Sequence, residues 1–389
     1  MINPFSPFFP AEGDIFASRS REQALFREGL EQGLSPQGPG PWNVALVGPW
    51  GIGKTSLLRR FVRIVREFES PVLPVALTVT PSVAAKLASE MLKRVKDEID
   101  AVQATPRWPQ RLVEELGKWE PTIGWGPVQA TRRPRPTDPD PDLYRELRRL
   151  WQGYLNGRVP GLVFFLDDAN ALLSKDPEAL MSLRGVFQDL QGDGARYPLV
   201  ITGPEGMLTT ARDASEPVTR FFERIPVRPF TLSDATDAIR DPMRAVGLPM
   251  EVTDAAAIED IWEKTGGHGF FIAFAMRDIV REAMIRHVAE IDRDFVENLW
   301  PSIAEHLAKE RFESDWAAAS PAEQKILRTI ADDPDGPLSR KIGKSGYALL
   351  GRMTVKGLVM RTKRGDYSLY HPLFQAFVRE QEVPGDAEA

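Results

Sequence analysis

Eight consecutive residues, Gly48-Pro-Trp-Gly-Ile-Gly-Lys-Thr55, have the types and spacing that hold phosphate. Glycines let successive backbone N–H groups turn toward an anion with no Cβ in the way. Lys54 brings a point charge for the β- and γ-phosphates, and Thr55 brings a hydroxyl for Mg²⁺. A helix beginning here would aim its positive end at the same anion. The loop nominates Gly48, Pro49, Trp50, Gly51, Ile52, Gly53, Lys54, Thr55 and Ser56 as nucleotide-binding residues, with ATP and Mg²⁺ as the cofactors.

A second group lies at the ends of two apolar runs. GLVFFLDD (161–168) closes on Asp167 and Asp168. Ligands in open α/β sheets bind at the carboxyl ends of the strands, so Asp167 is expected to hold Mg²⁺ beside Thr55. Asp168 would then orient or activate the attacking water; the plain alternative is a polar strand cap. PLVIT ends at Thr202, whose hydroxyl could touch the γ-phosphate or the water. Arg220 and Arg224, in TRFFERIPV, are candidates for an arginine finger reaching a neighbouring subunit's γ-phosphate. A finger of that kind implies a homo-oligomer in the ATP-bound form. The catalytic set is therefore Asp168, Thr202, Arg220 and Arg224.

The elements that must position these groups follow from periodicity. WNVALVG (42–48), VLPVALTV (72–79), residues 161–168 and YPLVITG (197–203) read as strands. Helical spacing lies between them at 54–68, 81–103, 142–156 and 176–191, after a first helix at 18–33. Strand and helix in alternation imply a parallel sheet. Residues 105–142, with four prolines in RPRPTDPDPD, break the pattern and read as a loop-rich insertion with a short strand at 127–130. Beyond about residue 230 helical patterns take over, at 233–245, 254–265, 269–287 and 292–313. The domain reading is an α/β core over 1–230, a helical region over 231–315, a C-terminal module over 316–380 and an acidic tail over 381–389.

Composition excludes several alternatives. The 389 residues hold no cysteine and only four scattered histidines, which removes thiol chemistry, Cys-based metal sites and an HExxH zinc hydrolase. No apolar run approaches the roughly 18 residues of a membrane span. The N-terminus, MINPFSPFFP, is broken by proline and carries no basic leader. The expectation is a cytoplasmic protein with no membrane partner.

Charge is unevenly spread. The chain carries −6 overall, yet residues 320–380 hold eleven basic and six acidic side chains, a net of +5, leaving −11 on the rest. Such segregation is the footprint of phosphate-backbone binding. The segment reads as three helices (321–331, 338–342 and 346–357) followed by strands at 358–364 and 367–370, turning at Gly365-Asp366. That order is a winged helix. Lys344, Arg352, Lys356, Arg361, Lys363 and Arg364 are its candidate contacts to double-stranded DNA. Winged helices also dock proteins, and charged faces are commonly just solvated.

Together these residues resemble the AAA+/STAND P-loop ATPases, in particular the archaeal-type ATPases and the Orc1/Cdc6-like group. GPWGIGKT, VFFLDD and VITG are similar to Walker A, Walker B and sensor 1. Phe16-Ala17-Ser18-Arg19 resembles an adenine-lining F-x-G-R motif with serine at the glycine position, which adds Arg19 to the nucleotide-binding set. GGHGFF (266–271) resembles the lid motif G-G-x-P with Gly269 in place of proline, and Arg277 is a candidate second sensor. The resemblance implies a P-loop NTPase core, an all-helical lid and a winged-helix domain. It implies an ATP-binding, slowly hydrolysing molecular switch that engages DNA. Two other readings share the site: a STAND-type signalling or defence ATPase acting through a separate effector protein, and a transposition-type ATPase regulator.

Overall fold

The computed structural model describes residues 2–102, 108–121, 141–174, 176–208, 216–332, 343–363 and 366–382. Two compact units are present. One comprises Arg19–Gly48 and Gly53–Arg228; the other comprises Met1–Ser18, Pro49–Ile52 and Pro229–Ala389.

The first unit is built on a sheet. β1 (Val44–Val47), β2 (Leu73–Thr78), β3 (Leu162–Asp167), β4 (Leu199–Gly203) and β5 (Glu223–Pro226) are all parallel, in the order β2-β3-β4-β1-β5. Parallel pairing requires a crossover between strands. Helices Lys54–Glu67, Leu87–Val102 and Ala179–Gly192 supply it. β1, β3 and β4 are buried along their whole length, as a sheet covered on both faces demands. Side chains alternate across the pleat. Phe164 meets Phe187 and Tyr197 edge-on, while its neighbour Phe165 lies 6.1 Å from Phe26, which stacks on Phe61 at 4.0 Å. The register sets Leu166 beside Ile201 and Leu46 beside Thr202, so the ends of β1, β3 and β4 lie abreast.

The fold is the expected parallel α/β core followed by a helical region, with local departures. β5 has no counterpart in the sequence reading. It is a four-residue edge strand, Glu-Arg-Ile-Pro, with one buried side chain and no apolar run to announce it. The helix expected over 81–103 is two helices, Pro81–Ala84 capped by Thr80, then Leu87–Val102. Part of the segment read as loop-rich forms a helix, Gln110–Gly117, which buries Leu112 and Leu116, with Trp119 buried just beyond it. The strand expected at 127–130 and the helix at 338–342 lie outside the described residues.

In the second unit come helices Leu232–Ala245, Ala255–Thr265, Gly269–Arg286 and Arg293–Leu307, and short polar residues cap the first, second and fourth. Thr231 forms a capping box with Asp234, and Asp254 and Asp292 cap the second and fourth helices. Past a π-helical turn at Ala308–Phe312 come helices Pro321–Asp332 and Gly343–Val355, then the antiparallel hairpin of β6 (Val359–Lys363) and β7 (Asp366–Leu369). A last helix, Pro372–Glu380, was not in the sequence reading, although Pro372 at its first turn and the spacing of Phe374, Phe377 and Val378 announce it. Its Phe374 and Val378 share one apolar core with Leu327, Leu350, Phe312, Phe271 and Ile279. The N-terminal arm joins this core through Phe5, and Asn3 donates to the Arg277 carbonyl at 2.8 Å.

Candidate phosphate-binding site

The loop after β1 keeps its shape through glycine. Gly51 and Gly53 hold φ at +72° and +103°, values that a side chain would strain. Gly53 is also the residue before the helix Lys54–Glu67, and no side chain caps that helix. A helix N-terminus of this kind is a place that receives an anion. Lys54 opens the helix and donates from Nζ to the Gly48 carbonyl at 3.1 Å. Thr55 and Ser56 follow in the first turn, both half-buried.

The two aspartates lie at the end of β3, and Thr202 joins them. The Thr202 hydroxyl donates to Asp167 Oδ1 at 2.6 Å and accepts from the Asp168 amide at 2.9 Å. Thr202 is wholly buried, so its oxygen is committed to the two neighbours and acts through them. Asp167 is 5% exposed. Asp168 leaves the strand with φ +55°, a left-handed conformation that aspartate tolerates better than most residues. That turn carries its carboxylate out of the sheet to an exposed position. Two adjacent carboxylates thereby differ, one fixed and shielded, one reaching solvent.

Electrostatics ties the lysine to both. Burial pulls the Lys54 ammonium below its usual range, opposed by Asp168 and then Asp167. Burial, then the charge of Asp167, pushes the Asp168 carboxyl upward against the pull of Lys54. A carboxylate raised in this way is a better proton acceptor than an ordinary aspartate.

Mg²⁺ fits this donor set. Thr55 offers a hydroxyl and Asp167 a carboxylate, the hard oxygen ligands the ion prefers. No cluster of three or more His, Cys, Asp or Glu exists among the described residues. None is needed, because Mg²⁺ at phosphate sites takes one or two protein oxygens and fills the rest with phosphate and water.

The remaining candidates are placed differently. Arg19 is buried, in a left-handed conformation at φ +61°, and donates to the Arg228 carbonyl at 2.7 Å with Glu22 at 3.7 Å. Ser18 before it has φ +68°, which accounts physically for a glycine preference at that position. Arg220 is exposed in the last turn of helix Glu216–Phe221. Arg224 is exposed on β5 and donates to the Glu205 carbonyl at 3.4 Å. Arg277 is largely buried, 3.1 Å from Asp278 and 4.3 Å over the Phe274 ring.

In the C-terminal segment two of the candidate DNA contacts, though exposed, lie against one buried carboxylate. Lys356 donates to Glu323 at 2.7 Å and to the Ala318 carbonyl at 2.9 Å, and Arg352 lies 3.8 Å from the same Glu323. Glu323 is 1% exposed and also accepts from the Ser320 amide. Arg364 and the side chains of Lys344, Arg361 and Lys363 lie outside the described residues. His371, which sequence reasoning passed over, is a second internal tie. Its Nε2 donates to the Thr265 carbonyl at 2.8 Å while Nδ1 accepts from the Leu373 amide, fixing a neutral imidazole. Burial, opposed by the Thr265 bond, lowers its pKa to about 4. Its position as the cap of a Pro-started helix was the available signal.

Residues 16–201 match the family model described as the AAA ATPase domain. Among solved structures, the Walker-type ATPase PABY2304 of Pyrococcus abyssi is similar, with a TM-score of 0.60 and 18% identity, covering 94% of this chain and 96% of that one. The ORC2 protein of Aeropyrum pernix, solved as ADPNP–ADP complexes, has a TM-score of 0.60 and 17% identity over 97% of this chain and 96% of its own. At these identities the likeness is one of fold. No curated protein matches the sequence.

Proposed function

Taking residues 16–201 as the AAA ATPase domain that they match, we propose that this chain binds and hydrolyses Mg²⁺–ATP and uses the nucleotide state as a switch controlling DNA engagement by its C-terminal segment. The observation that carries the reading is the grouping of Lys54, Asp167, Asp168 and Thr202 at one end of the parallel sheet. Lys54 binds the β- and γ-phosphates and neutralises charge that grows on them during transfer. Thr55 and Asp167 hold Mg²⁺, which neutralises phosphate charge when bound. Thr202 keeps Asp167 in one rotamer and anchors the turn that presents Asp168. Asp168 orients the attacking water and takes up its proton. Arg220 or Arg224 of a neighbouring copy is the candidate arginine finger, which makes the active form an oligomer. Arg19 belongs to the nucleotide-binding set by its motif.

The DNA part of the proposal rests on the charge of residues 320–380. The hairpin β6–β7, carrying Arg361 and Lys363, would be the wing. A protein-docking role, as in signalling ATPases, is favoured by a separate observation. Glu323 engages Lys356 and Arg352, and His371 ties this segment to helix Ala255–Thr265.

Two measurements test the proposal. Calorimetric titration should show ATP and ADP binding, and Lys54→Ala should weaken it by at least about 100-fold, as loss of a charge-assisted phosphate contact does. Undiminished binding in that variant would remove the site. Duplex DNA affinity, measured across a salt series with and without ATP, should fall steeply with salt and change with nucleotide. A flat salt response with no nucleotide effect moves the C-terminal segment to protein docking.

A further inference from the structure

The tip of the phosphate loop, Pro49–Ile52, belongs to the same compact unit as the turn Gly266-Gly-His-Gly269. Their contacts are specific. His268 Nε2 lies 2.9 Å from the Trp50 carbonyl, and the Phe270 amide donates to the Gly51 carbonyl at 3.0 Å. A Cβ at Gly51 would lie 2.9 Å from both His268 Cε1 and Phe270 Cβ, so the approach itself requires glycine. A Cβ at Gly269 would sit 3.4 Å from the Ile52 carbonyl, tighter than usual. The turn is itself held: Gly266 and Gly267 adopt φ +57° and +67°, and the Phe230 amide donates to the Gly267 carbonyl at 2.8 Å. His268 is 5% exposed and sits at the N-cap of helix Gly269–Arg286, yet its side chain makes no capping bond to that helix.

Peptide units are planar and trans, so a carbonyl and the N–H that follows it point in opposite directions. Fixing the Trp50 carbonyl outward therefore fixes the Gly51 N–H inward, and fixing the Gly51 carbonyl does the same for the Ile52 N–H. Phosphate loops bind anions through such amides. We infer that His268 is a positioning residue for phosphate binding: its ring holds the Trp50–Gly51 peptide in the orientation that presents the Gly51 amide to a nucleoside di- or triphosphate. The inference rests on the nucleotide-site reading above and adds a residue that no motif at the loop contains. It also explains why a histidine is placed at an N-cap that serine or aspartate would cap better.

That last point supplies the test. His268→Ser puts a good N-cap at the helix start but cannot span to the Trp50 carbonyl, whereas His268→Gln keeps a donor of similar reach. ADP and pyrophosphate affinities are measured calorimetrically for wild type, both variants and Lys54→Ala, with the thermal midpoint of each nucleotide-free protein. The expected result is a five- to tenfold weaker affinity for both ligands in His268→Ser, at an unchanged or higher midpoint, and recovery to within about threefold in His268→Gln. Wild-type affinity in His268→Ser, or equal losses in both variants with lowered midpoints, overturns the positioning role while leaving the site. No binding by wild type overturns the site reading and this inference together.

Discussion

Two regions of this molecule carry concentrated charge, and they use it in opposite ways. At the end of the sheet, Lys54, Asp167 and Asp168 accumulate where burial disfavours charge, and the perturbed Lys54 and Asp168 record that cost. Perturbation of this kind clusters where chemistry is done. In the C-terminal segment, Lys356 and Glu323 satisfy one another, and burial of the glutamate is outweighed by Lys356 and Ser320, so its pKa lies below the ordinary range. On the proposed function one cluster accepts a ligand, whereas the other holds helices together. A motif with fixed spacing thus predicts a site, whereas a charge total does not say which charges face outward.

The contrast breaks first at Asp168. Asp168→Asn should lower ATP hydrolysis about 100-fold with ATP affinity changed by less than about threefold, the signature of a lost proton acceptor. Single-turnover assays beside equilibrium titration separate the two. Hydrolysis at the wild-type rate would make Asp168 a strand cap and erase the difference between the regions. The raised Asp168 pKa also fixes a sign. Activity should decline as pH falls through a value above that of an ordinary aspartate, and the nucleotide-free Asn variant should be no less stable than wild type above that pH.

His371 sharpens the structural side. Its folded pKa of about 4 lies below the ordinary 6.5, so the unfolded chain binds the extra proton more readily. The stability it confers is complete above pH 6.5 and is lost as pH falls toward 4, on the order of 3 kcal/mol over that window. Denaturant melts at pH 7 and 5 should show the loss in wild type and a flatter dependence in His371→Gln. Equal slopes would place the imidazole outside the stabilising network.

The smallest effects concern Glu323 and its partner Arg352. Glu323→Ala removes the acceptor for Lys356 and the Ser320 amide and should cost about 2 kcal/mol by chemical denaturation. Arg352→Ala, losing only a 3.8 Å contact from an exposed side chain, should cost less than about 0.5 kcal/mol. If that Arg352 variant nevertheless weakens DNA binding in proportion to a lost phosphate contact, the segment serves both purposes.

Much of this was legible in the chain before folding was considered. Apolar runs of β-rich residues gave β1 to β4, and the Gly-rich turn between a strand and a helix marked the candidate phosphate loop. β5 escaped because a short edge strand needs no apolar run, and helix Gln110–Gly117 escaped beside a proline-rich stretch. The role of Thr202 was readable only as a strand-end hydroxyl, since its bonds to Asp167 and Asp168 depend on register.

Sequence alone fixed the residue types on offer: a glycine-rich loop with one lysine, two adjacent aspartates at the end of an apolar run, and no cysteine. Those assignments depend on residue type and short spacing, which covalent geometry enforces locally. Tertiary structure decided which groups meet across long stretches of chain, such as Asp167 with Thr202, Lys356 with Glu323, and His268 with the Trp50 carbonyl. Such meetings follow from strand order and helix packing, and packing is cooperative over the whole fold, so no local window of residues contains them.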